Sequence, residues 1–163
     1  MAISFIRVDD RVVHGQITVR WSVEYPCDGL IAVNDSIAKN PVLVKTFKSA
    51  ISKPVHIMSH DDFLAKSSKI IESKKNWFLI TKEPVMLARL LVDDKLPVEG
   101  MRVVVGPQND RPGSINIGKN QAIMPEEAEA YEKIHQAGYE ILFALIPDVK
   151  SGYWKDLRSK FGY

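Results

Sequence analysis

Short apolar runs alternate with longer stretches of helical periodicity along the chain. Ile3–Val8 reads as a first strand and Gly15–Glu24 as a helix. Gly29–Val33 reads as a buried strand ending in an Asn34-Asp35 turn. Asn40 followed by Pro41 supplies an N-cap and a first-turn proline for a helix from Pro41 to Ile51. Val42, Leu43, Phe47, Ala50 and Ile51 fall on one face of that helix. Val55–Met58 is the next strand, and Ser59 with Asp62 resembles a capping box opening a helix to about Ser73. Trp77–Ile80 is a strand, and Thr81 is placed to cap a helix over Pro84–Val92. Arg102–Val105 is a strand, followed by a Gly-, Pro- and Asn-rich loop from Gly106 to Gly118. Pro125–Ala137 is a helix with Glu126 and Glu127 at its positive end, and Gly138 closes it. Tyr139–Leu145 is a last strand, and Tyr153–Lys160 a short final helix.

Strands that are apolar throughout and alternate with helices imply a parallel sheet covered on both faces. The expected fold is therefore α/β: an open, mainly parallel twisted sheet with helices on both faces, in one domain over residues 1–163. Ligands in such sheets sit outside the carboxyl ends of the strands. That rule directs attention to the loops after Val8, Val33, Met58, Ile80 and Val105.

Composition narrows the function classes. The 163 residues are 45% hydrophobic and 26% charged with a formal charge of +2, which suits a globular protein and gives no basic stripe for nucleic acid. Lysines between Lys66 and Lys75 are interrupted by apolar residues and read as a solvated helix face. Cys27 is the only cysteine, so no internal disulfide forms and a small packed thiol is expected. No run approaches the roughly 20 apolar residues of a membrane span. Apolar Ile3–Ile6 is too short for a signal peptide. A cytoplasmic protein that meets membranes only through partners is expected.

The most informative stretch runs from Phe5 to Gln16. A strand ends near Val8, and His14 precedes Gly15 at the start of a helix. Helix-start N–H groups favour an anion there. Gly15 lets a phosphate approach the backbone, and Arg11 offers a planar fork for phosphate oxygens. An imidazole with an ordinary pKa of about 6.5 is a competent nucleophile at neutral pH. Either Asp9 or Asp10 can hold the other ring nitrogen and fix the tautomer; spacing does not choose between them. Both also suit a plain turn.

The run Arg7-Val-Asp-Asp-Arg-Val-Val-His-Gly-Gln16 resembles the signature of the IIB component of the mannose/fructose/sorbose family of the sugar phosphotransferase system (PTS). Val33-Asn34-Asp35 with Ala38-Lys39, Ser114-Ile-Asn-Ile-Gly118 and Pro125-Glu-Glu-Ala to Gly138 resemble further family segments, so the likeness spans nearly the whole chain. Val12 and Val13 depart from the family's Leu and Ile but keep the apolar character. The resemblance implies that His14 takes a phosphoryl group on Nδ1 from a phosphohistidine of the IIA component. It then passes the group to a sugar imported through the IIC and IID membrane components, at the inner face of the membrane. Arg11 and the amides around Gly15 and Gln16 would steady the group, with no cofactor. Mannose, fructose, sorbose and amino sugars all remain open as substrates.

Other signals carry less. Gly113–Asn120 nearly matches a phosphate-binding P-loop but has Asn120 where magnesium needs Ser or Thr, and Pro112 and Pro125 break the required context. A surface loop near the sheet edge is the plainer reading, with a part in shaping the phosphate site as the alternative. His56 and His60, beside Asp61 and Asp62, straddle a strand-to-helix junction and do not suggest a metal. His135 suits a helix C-terminus, and Trp21, Trp77 and Trp154 suit packing. Asn34 and Asp35 would border His14 if their strand lay beside the first, or would simply form an Asx turn. The alternative function is a hydrolase resembling histidine phosphatases. Such enzymes want arginine where Val13 stands and a second late histidine, for which only His135 remains. A plain binding module using the loop after Val105 is a third possibility.

Overall fold

The computed structural model describes residues 2–163. Seven strands form one sheet in the order β3-β2-β4-β1-β5-β8-β9. They are β1 (Ile3–Val8), β2 (Gly29–Val33), β3 (Val55–Met58), β4 (Trp77–Thr81), β5 (Val103–Val105), β8 (Ile141–Ile146) and β9 (Val149–Tyr153). All neighbours run parallel except β8 and β9, which pair antiparallel. A separate hairpin of β6 (Ile115–Gly118) and β7 (Gln121–Ile123) stands at the sheet edge.

Each central strand feeds two cores, because its side chains alternate between faces. Ile31, Val33, Leu79, Val103 and Val105 enter one cluster with Phe63, Leu87, Tyr131 and Trp154. That face carries α4 (His60–Ile71), α5 (Pro84–Ala88, extended by a π-helical turn), α6 (Pro125–Gln136) and α7 (Trp154–Leu157). Leu30, Ala32, Phe78, Ile80 and Val104 enter the other, with Val12, Val13, Ile17 and Trp21. That face carries α1 (Gly15–Arg20), α2 (Asp35–Ala38) and α3 (Pro41–Ser49). This is the expected α/β architecture, and no helix of the described residues is long and apolar enough to cross a membrane.

Caps behave as side-chain chemistry dictates. Asn40 Oδ1 accepts from the Leu43 amide at 3.2 Å, and Ser59 Oγ accepts from the Asp62 amide at 3.1 Å. Several expectations need correction. Thr81 does not cap α5: it is the last residue of β4, its hydroxyl donates to the Glu83 carbonyl, and Glu83 is the N-cap. The Asn34-Asp35 turn opens a short helix, α2, capped by Asn34. The apolar residues of α3 divide: Phe47 packs half-buried against the second core, whereas Val42 is 73% exposed. The loop from Gly106 to Gly118 contains β6. Ile141–Ile146 is not the last strand, because β9 returns beside it.

Candidate functional site

Three strand ends converge beside the segment after β1: Val8 pairs with Thr81 of β4 and Val105 of β5. Backbone bonds from Asp9 N to Thr81 O at 2.9 Å and from Asp10 N to Pro107 O at 3.0 Å extend that pairing. The chain then turns sharply, with Val12 N donating to Asp9 O at 3.0 Å. Val12 itself sits at φ 60°, a region that β-branched residues avoid. Its side chain and that of Val13 are buried, so core packing on both sides of the turn holds the strained backbone. His14 is thereby presented at the carboxyl edge, its side chain 16% exposed.

Asp9 organises this loop. Its side chain is fully buried, and Oδ2 lies 2.9 Å from His14 Nε2. Arg7 Nε donates to the same oxygen at 3.1 Å, while Oδ1 accepts from the Arg11 amide at 2.9 Å. Burial alone would raise the carboxyl pKa, but the bond to His14 and the charge of Arg7 outweigh it and hold it below the ordinary carboxylate value. An ionised carboxylate only accepts, so Nε2 carries the ring hydrogen, and in the neutral ring the lone pair falls on Nδ1. Among the described residues Nδ1 has no hydrogen-bond partner.

Asp10 takes a different part. Its carboxylate accepts from the Asn109 amide at 2.5 Å and does not touch His14. Burial pushes its pKa up. It ties the His14 loop to the loop after β5. The choice left open between the two aspartates thus falls on Asp9 as the partner of the ring.

Arg11 is 41% exposed; its Nε lies 3.5 Å from Asp9 Oδ1, and Nη1 donates to Gln16 Oε1 at 3.2 Å. Gly15 starts α1, and a Cβ there would meet nothing within 4 Å, so the space beside His14 is open. Because α1 runs only six residues and Arg7 is buried against Asp9, the cation presented at this edge is Arg11 rather than a helix dipole. Asp35 lies apart from these groups. β4 separates β2 from β1, and Asp35 Oδ1 accepts from the His60 amide at 2.8 Å, fixing the start of α4.

Arg7 is the member that sequence reasoning missed. It is fully buried, donates to the carbonyls of Ala144 at 3.0 Å and Leu145 at 2.8 Å, and lies 5.1 Å from the centre of the Trp21 ring. Gly106 makes room for it, since a Cβ there would come 2.3 Å from Arg7 Nη2. A charged residue two positions before Asp9, in a strand apolar but for it and Ser4, was the available signal. Desolvation pulls the Arg7 pKa down, with Asp9 opposing.

The other histidines lie elsewhere. His60 Nε2 is 2.6 Å from Asp94 Oδ2, and His56 is on the edge strand β3 against Trp77. Among the described residues no group of three or more His, Cys, Asp or Glu side chains converges for a metal.

Known proteins decide the family. The family model described as "PTS system sorbose subfamily IIB component" matches residues 3–162. The chain belongs to this IIB family. It is 26% identical over 144 residues to the sorbose-specific EIIB component of Lacticaseibacillus casei, covering 86% of this chain and 85% of that one. It is 27% identical over 145 residues to the mannose-specific EIIAB component of Escherichia coli K12, covering 86% of this chain but 43% of that longer protein. The crystal structure of the IIBSor domain of the sorbose permease from Klebsiella pneumoniae shares the fold, with a TM-score of 0.76, 21% identity and 90% of each chain covered.

This IIB chain is a phosphoryl carrier of a sugar phosphotransferase system, and its chemistry is phosphotransfer to sugar. IIB components work with IIA and with IIC and IID, and the E. coli relative carries IIA and IIB in one name. The phosphatase alternative finds no support among these relatives. Its geometry fails too. Val13 is buried where an arginine would be needed, and His135 closes α6 beside Gly138 and Tyr139, before β8 and thus at the opposite end of the sheet.

Proposed function

We propose that His14 accepts the phosphoryl group on Nδ1 from the phosphohistidine of IIA and gives it to a sugar imported through IIC and IID. The observation that carries this reading is the 2.9 Å contact of buried Asp9 with His14 Nε2. It supports Nδ1 as the nucleophile and holds the proton on Nε2 through both transfers. In the first transfer the Nδ1 lone pair bonds to phosphorus as the donor's N–P bond breaks. The phosphorylated ring then keeps its Nε2 proton against Asp9, and its positive charge makes it a good leaving group. In the second transfer the sugar hydroxyl oxygen bonds to phosphorus as the His14 N–P bond breaks; the bonding pair returns to Nδ1 and the hydroxyl proton is released to water.

Arg11 is the cation for the phosphoryl oxygens, and its fork is loosely held enough to turn toward them. The amides of Gly15 and Gln16 offer donors on the open side. Asp10 positions the loop, and Asp35 has no part in the transfer. The chain acts as one domain over residues 1–163, in the cytoplasm, at the inner face of the membrane through IIC and IID. Incubation with phosphorylated IIA tests this reading: the wild-type chain gains an acid-labile phosphate and His14→Ala gains none. A labelled His14→Ala chain would contradict it.

A further inference from the structure

The stretch Gly113–Asn120, whose composition imitates a phosphate loop, folds into β6 and the turn leading to β7. That turn places Lys119 and Asn120, both exposed, in the lining of a cleft of about 280 Å³. Arg11 and Gln16 line the same cleft, with Leu145 and Ile146 among its apolar residues.

The turn is rigidly mounted. Gln121, 1% exposed, donates to the Val105 carbonyl at 2.8 Å and accepts from the Ser151 hydroxyl of β9. Gln108 N donates to Asn120 O at 2.8 Å, and Ala122 N to Gln108 O at 3.0 Å. A Cβ on Gly118 would lie 2.4 Å from Ser151 Oγ, so glycine is what lets the hairpin close onto β9. Asn120 at φ 53° makes the turn, a conformation asparagine tolerates. Lys119 enters none of the ion pairs among the described residues. A lysine so placed, lining one cleft with Arg11, is a second cation awaiting an anion.

We infer that this cleft binds a sugar phosphate, with the phosphate between Arg11 and Lys119, hydroxyls on Gln16 and Asn120, and the ring over Leu145 and Ile146. The chemistry matches part by part. Two cations suit a doubly charged phosphate. Two carboxamides both donate and accept, as hydroxyls require. The aliphatic part of the lining suits the C–H face of a sugar ring. Small-ligand sites begin at about 300 Å³, near the volume of this cleft. The inference rests on the reading of His14 as the carrier, and adds that this chain itself grips the product of the second transfer.

The test titrates wild type, Lys119→Ala and Lys150→Ala with inorganic phosphate and with the phosphates of mannose, fructose, sorbose and N-acetylgalactosamine, following backbone amide shifts. At least one sugar phosphate binds wild type about tenfold more tightly than inorganic phosphate and shifts the Lys119, Asn120 and Leu145 amides. Lys119→Ala loses that advantage, while Lys150→Ala, an exposed lysine on β9 outside the cleft, keeps it. Equal affinity for inorganic phosphate and all four sugar phosphates overturns the inference. So does a Lys119→Ala affinity matching wild type, or an equal loss in Lys150→Ala. Labelling of wild-type His14 by phosphorylated IIA is measured alongside; a failure there removes the carrier reading instead.

Discussion

Asp9 and Glu132 are both poorly exposed carboxylates gripped by arginine, and they serve opposite ends. Glu132, on α6, accepts from the Trp154 indole at 2.8 Å, from Gln136 at 2.8 Å and from Arg158 Nε at 3.0 Å, with a second Arg158 contact. Every partner is a fixture, and together they lock the C-terminal turns onto α6. Asp9 is just as crowded, but one partner is a part-exposed ring whose second nitrogen has no hydrogen-bond partner among the described residues. Glu132 closes its network; Asp9 passes its effect outward through His14. The same charge pairing yields cohesion in one place and reactivity in the other, because of what the partner presents beyond the contact.

Three substitutions sharpen that contrast, ordered by expected loss of stability. Asp9→Asn leaves Arg7 buried without its counter-charge. We expect about 3–5 kcal/mol of lost stability in chemical denaturation, together with at least a hundredfold slower phosphoryl transfer. Glu132→Gln unpairs Arg158 and should lower stability by about 1–3 kcal/mol while leaving transfer unchanged. Its pH dependence has a fixed sign. Arg158 leads in holding the Glu132 carboxyl at about 2, below its ordinary 4.5, so its stabilisation is complete above pH 4.5 and disappears as the pH falls through 2. The variant should therefore lose less stability than wild type over that interval of an acid titration. Arg11→Lys should leave stability within about 0.5 kcal/mol, since the side chain is exposed, yet slow transfer about tenfold by replacing a fork with a point charge. Equal effects of Asp9→Asn and Glu132→Gln on transfer would dissolve the distinction.

Much of this was legible in the sequence. β1, β2 and β3 begin and end where apolar runs do, and Asn40 and Ser59 cap as their chemistry requires. His14 and Arg11 stood out because a strand end, a histidine and a glycine fall in close succession. What escaped has physical reasons. β9 pairs at a sheet edge and buries none of its residues fully, so Val149–Tyr153 carries no apolar run. β6 is half exposed and polar enough to read as loop. Val42 and Leu43 of α3 stay exposed although they share a face with Phe47, because the helix lies at the margin of the sheet over edge strand β3. Arg7 was hidden because a buried arginine depends on carbonyls 137 and 138 positions away, which no local pattern reveals. Asp9 and Asp10 are neighbours of one type, and only the fold shows which one faces His14.

The most direct measurement is nuclear magnetic resonance of the chain phosphorylated by its IIA, with nitrogen-labelled histidine. The account predicts one phosphoryl group, on His14 Nδ1, with the hydrogen retained on Nε2. Phosphate on Nε2, or on any residue other than His14, would contradict it.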